Sequence, residues 1–219
     1  MKIAASLLLA CSALLGASQA SAGLVSAVSA TSDMGDYAGI VSLANTINGT
    51  GLSSLSLTAT HASTVPANSW ASAIGTTTGH ITFNLGGQYL LDGFSFWNQN
   101  GGGPGASGST GLQRVQVLTS TDGVNFDDWF TTAFLRETGN SSAAQLENPS
   151  DAVASFVRFN VLSNYGDTTA SGFAEIQFDG ASCTQVDCNP GRLPEPASMA
   201  LVAASLGALG IARRRRQDR

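Results

Sequence analysis

The stretch Gly79-HITFNLGGQYLLDGFSFWNQ-Asn100 decides the fold. Its first half alternates, with Ile81, Phe83 and Leu85 on one face and His80, Thr82 and Asn84 on the other. That two-residue period is the mark of a half-buried strand. After Gly86-Gly87, "LLDGFSFWN" reads as a second strand that places Phe94 and Phe96 together. Further along, "RVQVLTSTDGVNF" carries Val115 and Val117 and then Asp122-Gly123, a dipeptide suited to a tight hairpin. "SFVRFNVLS" sets Val157, Phe159 and Val161 against Phe156, Arg158 and Asn160. "FAEIQFDG" groups Ala174, Ile176 and Phe178 and leaves Glu175 and Gln177 opposite. Short alternating strands joined by Gly-rich turns predict an all-β sandwich or jelly roll. Only "DYAGIVSLANTI", Asp36 to Ile47, offers a helical turn.

Both ends of the chain read as addresses. Lys2 precedes an apolar run from Ile3 to Gly16, and small residues offer cleavage at Ala20-Ser21-Ala22 or Ser18-Gln19-Ala20. This is the layout of a secretory signal peptide, so residues 1–22 are expected to direct export. At the other end, "LPEPASMALVAASLGALGIARRRR" joins Pro194-Glu195-Pro196 to an apolar segment, 197–212, and to Arg213, Arg214, Arg215 and Arg216. The segment is short against the roughly 20 apolar residues a spanning helix needs. Its arginines belong on the cytoplasmic side, which leaves the preceding domain outside. Motif, helix and arginine cluster in this order resemble the PEP-CTERM sorting signal of Gram-negative bacteria. That resemblance implies recognition by an exosortase after Sec export, with a transient stop in the inner membrane. A plain tail anchor is the alternative. The expected organisation is a signal peptide (1–22), a β-sandwich (23–182), a cysteine-containing linker (183–192) and a sorting signal (193–219).

The middle of the chain is acidic and almost free of cations. Its basic residues are Arg114, Arg136, Arg158 and Arg192, with no lysine, in a chain of formal net charge −5. Nucleic acid is excluded as a partner, because phosphate binding needs Lys and Arg in number. Cys11 leaves with the signal peptide, and Cys183 and Cys188 are close enough to pair in an oxidising compartment.

With these strands in order, the domain resembles a discoidin (F5/8 type C) module of the galactose-binding-like fold. The resemblance rests on "ANSWAS", the strand-Leu-Gly unit ending at Gly86, the Ser-x-Asp-Gly hairpin and the closing "SFVRFNVLSNYGDTTASGFAEIQFDG". It implies a binding module, not a catalyst. It also implies a core role for Trp70 and a structural calcium with Glu175 as a ligand; Arg158 matches a recurrent position, but a structural ion pair is its expected role. Asn48-Gly49 stands where relatives often carry Asp-Gly.

The residues themselves give few catalytic options. His61 and His80, the only two histidines, are read as exposed surface groups. Asp127 and Asp128 adjoin along a strand and so point to opposite faces. Ligand candidates are Trp97, Asn98 and Gln99, which lead into the Gly101–Gly111 loop "GGGPGASGSTG", together with Trp129 and Tyr165. An aromatic face suits the apolar C–H face of a sugar, and amides suit its hydroxyls. Trp97 either meets a ligand or seals the sandwich edge, and the loop is either a rim or a tolerated surface connection. Exopolysaccharide or another glycan is the expected ligand at the cell surface or in the extracellular matrix. A structural matrix protein without a ligand site is the rival reading, and an extracellular hydrolase the third.

Overall fold

The computed structural model describes residues 23–184 and Cys188. The expected signal peptide and the sorting tail, including Pro194-Glu195-Pro196 and Arg213 to Arg216, lie outside the described residues. Among the described residues no helix is long and apolar enough to cross a membrane.

The strands are β1 (Gly23–Val25), β2 (Ser29–Ser32), β3 (Thr60–Ala62), β4 (Trp70–Ala71), β5 (Gly79–Asn98) and β6 (Leu112–Ser120). They continue with β7 (Asp127–Ala133), β8 (Ser141–Ala143), β9 (Gln145–Glu147), β10 (Ala152–Asn164) and β11 (Gly172–Ser182). The stretch read as two strands is one, β5, and it serves both layers. Its Gly79–Asn84 half pairs with β2 and β10, while Gly93–Asn98 lies between β11 and β9. The residues between them, Tyr89–Leu91, pair with β10 on one side and β11 on the other. A single antiparallel sheet therefore folds over itself into the expected β-sandwich. Gly86 makes the break possible: its φ is +75° and a Cβ there would meet Val28 Cγ1 at 2.7 Å, so only glycine fits without strain.

Aromatic rings from both layers fill the space between. Phe83 lies 5.3 Å from Phe159 within its own layer and 5.8 Å from Phe178 across the core. Phe94 reaches back to Phe159 at 5.4 Å, and Phe96 stacks on Phe134 at 3.7 Å. Trp70 is fully buried in the same core, as the resemblance implied.

Three local expectations are corrected. A register shift between Phe173 and Glu175 turns Ala174 away from Ile176 and Phe178. Phe173 takes the inner place, while Ala174 joins Trp97 and Ala59 in a second small cluster. The hairpin after β6 is not a two-residue turn but the longer 121–126 connection. There Ser120 Oγ accepts from the Asp122 and Gly123 amides, and Asp122 accepts from those of Val124 and Asn125. These bonds hold the exposed Asp122 carboxyl well below the usual carboxylate range. Finally, the expected helical turn is two short 3-10 turns, Tyr37–Gly39 and Leu43–Thr46. After β11, Cys183 and Cys188 form the disulfide their spacing suggested.

Candidate functional site

In the second layer the outward residues of β5 and of the adjoining β11, Ser95, Trp97, Glu175 and Gln177, are buried as well. The 47–59 segment lies over this layer. Ser95 Oγ donates to Leu57 O at 2.6 Å and Trp97 Nε1 to Ala59 O at 2.9 Å. Trp97 is fully buried. It seals the covering segment to the sheet, so the expectation that its ring faces a ligand is corrected.

The amides that follow are buried as well. Asn98 Nδ2 donates to the carbonyls of Leu112 and Leu135, and its oxygen accepts from Leu112 N. Asn100 Oδ1 takes both the amide and the hydroxyl of Thr64. Gln99 is the exception. Its Nε2 donates to Trp70 O at 3.0 Å, but its buried Oε1 has no partner. Buried acceptors are nearly always paired, so an orphan calls for a reason.

Gln99 lines a cleft of about 200 Å³ at the end of the sandwich where β5 finishes. Tyr37 and Ile40 come to it from the first 3-10 turn, Val65 and Pro66 from the β3–β4 connection, and Gly103 and Pro104 from the glycine loop. Ile40 and Val65 stay 61% and 45% exposed, so the walls are apolar and open. Beside Tyr37, Ala38 has φ +47°, the one non-glycine positive φ among the described residues. Such a conformation persists only where its surroundings impose it, and it clusters at binding sites.

The glycine loop is half wall, half core. Gly108 to Gly111 are buried, Ser109 Oγ donates to Asp167, and Arg136 donates to Ser107 O. Gly102 approaches Thr64 so closely that a Cβ would lie 2.0 Å from its carbonyl oxygen. The loop is thus a built rim, pinned along its length.

The other ligand candidates do not converge on this cleft. Trp129 packs against Phe94 and donates to Ser150 O at 2.6 Å. Tyr165 donates its hydroxyl to Phe134 O and lies under Arg136. Of the features singled out in the sequence, Gln99 and the start of the glycine loop, Gly102 to Pro104, line it. Tyr37, Ile40 and Val65 escaped that reading because they come from two other connections, the first 3-10 turn and the β3–β4 loop. The only local signal was an aromatic beside Asp36, whose carboxylate accepts the Trp70 indole N–H at 2.7 Å.

Glu175 forms a separate polar centre beneath the covering segment. It is fully buried on β11. One oxygen accepts from Gly49 N at 3.1 Å and from Gln177, and the other, Oε2, has no partner. Burial pushes its carboxyl up to about 8, against the lowering effect of those two hydrogen bonds. The orphan oxygen would serve as one ligand of the calcium that the resemblance implied. The rest of a donor set does not follow. Asn48 Oδ1 is taken by Thr50 N at 2.8 Å, and the described residues contain no cluster of three acidic, His or Cys groups. Calcium takes six to eight oxygens, usually with several carboxylates. The arrangement fits a proton on Glu175 better than a cation.

The residues considered for catalysis are apart and occupied. His61 is buried, not exposed as the sequence suggested, and its ring nitrogens face the carbonyls of Ala62 and Thr50. Desolvation lowers its pKa and so favours the neutral ring. His80 is exposed and bonds Asn160. Asp128 accepts from Gln116 at 2.7 Å.

Comparison with known proteins agrees with this architecture. The GH31 CBM32-2 module, solved bound to GalNAc, superposes with a TM-score of 0.51 at 15% identity, covering 72% of this chain and 97% of that one. The C-terminal domain of a chitobiase from Bacteroides fragilis gives 0.52 at 12% identity, covering 73% and 99%. At such identities the likeness concerns the fold alone. No curated protein matches the sequence. The F5/8 type C domain model matches residues 29–176, well over half of the chain: the chain belongs to the F5/8 type C domain family.

Proposed function

We propose that this protein is an exported, non-catalytic glycan-binding module. The observation that carries the reading is the unpartnered Gln99 Oε1 at an apolar, loop-built cleft beside Tyr37. A sugar supplies what this cleft lacks: a hydroxyl to donate to Gln99, and a C–H face to lie against Tyr37 and the proline walls. The modules it resembles in fold, one of them solved with GalNAc, support the same ligand class.

Sec export through the leader and exosortase processing at Pro194-Glu195-Pro196 would deliver the domain across the inner membrane of a Gram-negative cell. From there it acts at the surface or in the extracellular matrix, on exopolysaccharide or another glycan. Calcium is not required by this reading.

A glycan array with the full chain and its Tyr37→Ala variant tests the binding claim. The expected result is at least one glycan whose binding falls tenfold or more in the variant. A chain that binds no glycan, or whose binding ignores Tyr37, overturns it. Mass spectrometry of the mature protein tests delivery: the 199–216 segment should be absent, and its presence would leave a simple anchor instead.

A further inference from the structure

A second cleft, of about 300 Å³, opens on the outer face of the other layer, lined by Thr31, Ser32, Asp33, His80, Thr82 and Arg158. Thr31, Thr82 and Arg158 are direct cross-strand neighbours on β2, β5 and β10. The ion pair expected for Arg158 is not what holds it. Its Nε donates to Thr82 Oγ1 at 3.0 Å, and its guanidinium lies over the Phe126 ring, 3.7 Å from the centroid. These two contacts fix the plane of the fork and leave its terminal N–H groups to the cleft. A guanidinium so held is preorganised for a planar, bidentate partner.

The neighbours of Arg158 narrow the choice of partner. Asp33 Oδ1 accepts from His80 N at 2.7 Å, which leaves its second oxygen available. His80 Nδ1 bonds Asn160 Oδ1, Asn160 Nδ2 donates to Gln116 at 2.9 Å, and Gln116 Nε2 donates to Asp128 at 2.7 Å. In this chain the Asn160 oxygen must accept, so His80 Nδ1 donates and the neutral ring keeps Nε2 as an acceptor. A bare inorganic anion would pair with Arg158 but meet the Asp33 charge. A neutral sugar would use Asp33, His80 and the hydroxyls of Thr31 and Thr82 but leave the fork without an anion. A sugar carrying a carboxylate uses both.

We propose that this cleft, separate from the one beside Gln99, is a binding site for a hexuronate residue. The carboxylate lies on the Arg158 fork. Ring hydroxyls donate to Asp33 and His80 and accept from the hydroxyls of Thr31 and Thr82. Because the domain is otherwise poor in cations, recognition is confined to this one fork, and acidic polymers are not drawn in by general charge.

Isothermal titration of the full chain with tetragalacturonate, its full methyl ester and galacturonic acid, all in EDTA, tests this. Tetragalacturonate should bind, and its ester at least tenfold more weakly. Arg158→Gln should weaken tetragalacturonate at least tenfold, and Arg158→Lys should not restore it, since an ammonium lacks the fork. Monomer and tetramer binding alike would identify a single sugar as the target, whereas binding of the tetramer alone would identify a polymer lying along the sheet. Equal binding of acid and ester, or indifference to Arg158→Gln, overturns the proposal. So that a misfolded variant cannot blur the answer, the His80 ring resonance of the unaltered protein should shift with tetragalacturonate and stay still with the ester. A resonance unmoved by the acid overturns the proposal by itself.

Discussion

The two halves of β5 are one strand in two environments. In Gly79–Asn84 the inner residues Ile81 and Phe83 are fully buried, while His80 is exposed and Thr82 and Asn84 are half-buried. In Gly93–Asn98 every residue is buried, inward or outward. The strand itself does not cause the difference. A segment from elsewhere, residues 47–59, lies over the second half and not the first. Antiparallel sheets commonly leave one face in water, and here a single sheet does so in one half and not in the other. Alternation therefore reports which face turns to the core, and it is silent on what happens behind.

The largest effects should come from treating the covered face as though it were open. Phe96→Ala empties the main core and should cost about 3–5 kcal/mol in urea unfolding. Trp97→Ala, one residue on and pointing the other way, should cost the same about 3–5 kcal/mol, since Trp97 is as deeply buried. A Trp97→Ala cost below about 1 kcal/mol, the range of an exposed substitution, would show that the covering segment adds little to the fold. The two halves of the strand would then be alike.

The same comparison explains what could be read in advance. The inner faces of β5, β6 and β10 were legible because Ile81, Phe83, Val115, Val117, Val157 and Phe159 follow the two-residue period without a break. The face of β11 was legible only from Ile176 on, because the register shift before Glu175 leaves no mark in the residue types. Trp97, Asn98 and Gln99 were read as ligand groups since polar and aromatic residues at a strand end look the same whether bare or covered. What covers them, around Leu57 and Ala59, is a Ser/Thr-rich stretch with no period of its own. The candidate cleft was the least legible feature. Its walls come from the turn at Tyr37, from Val65-Pro66 and from Pro104, and no local pattern ties such segments together. Gln99 could be named from its neighbourhood, but its orphan oxygen appears only in three dimensions.

Burial of the outer face has a chemical consequence at Glu175. Its carboxyl titrates near 8 in the folded chain against 4.5 for an ordinary glutamate. The folded state thus holds a proton that the unfolded state releases, and stability falls as pH rises between those values. The contribution is complete below about pH 4.5 and lost above about pH 8. Urea midpoints of the unaltered protein should drop across this window, with Glu175→Gln dropping by markedly less. Comparing the two curves cancels the titration of every other group. Equal slopes would mean that Glu175 is ionised throughout. Calcium offers a sharper form of the same test. Millimolar calcium should leave the midpoint of the unaltered protein unchanged at pH 6. A rise seen there and absent in Glu175→Gln would mean that a cation, not a proton, neutralises this carboxyl.

A smaller effect belongs to the rim. Gly102→Ala would push a methyl group against the Thr64 carbonyl, 2.0 Å from an ideal Cβ. Overpacking of this kind typically costs about 1–3 kcal/mol, and here it should also part the Asn100–Thr64 bonds that hold the cleft's wall. A stability change under about 0.5 kcal/mol, within the range of surface substitutions, would show that the glycine loop shifts freely and is not pinned.

The smallest effect should lie on the open half of β5. His80→Ala removes one hydrogen bond, to Asn160, at an exposed position. Water replaces the lost partner there, and Asn160 keeps its bond to Gln116. A surface change of this kind is expected within about 0.5 kcal/mol. It differs from Trp97→Ala in what stands behind the residue, not in strand position or alternation. If His80→Ala instead cost as much as Trp97→Ala, the outer face of the first layer would have to be covered in solution by something else. A second copy of the chain is then the simplest cover, and dependence of the urea midpoint on protein concentration would reveal it. With no such dependence and a cost near zero, the first layer stands as an open polar platform, which is the condition a uronate needs to reach Arg158.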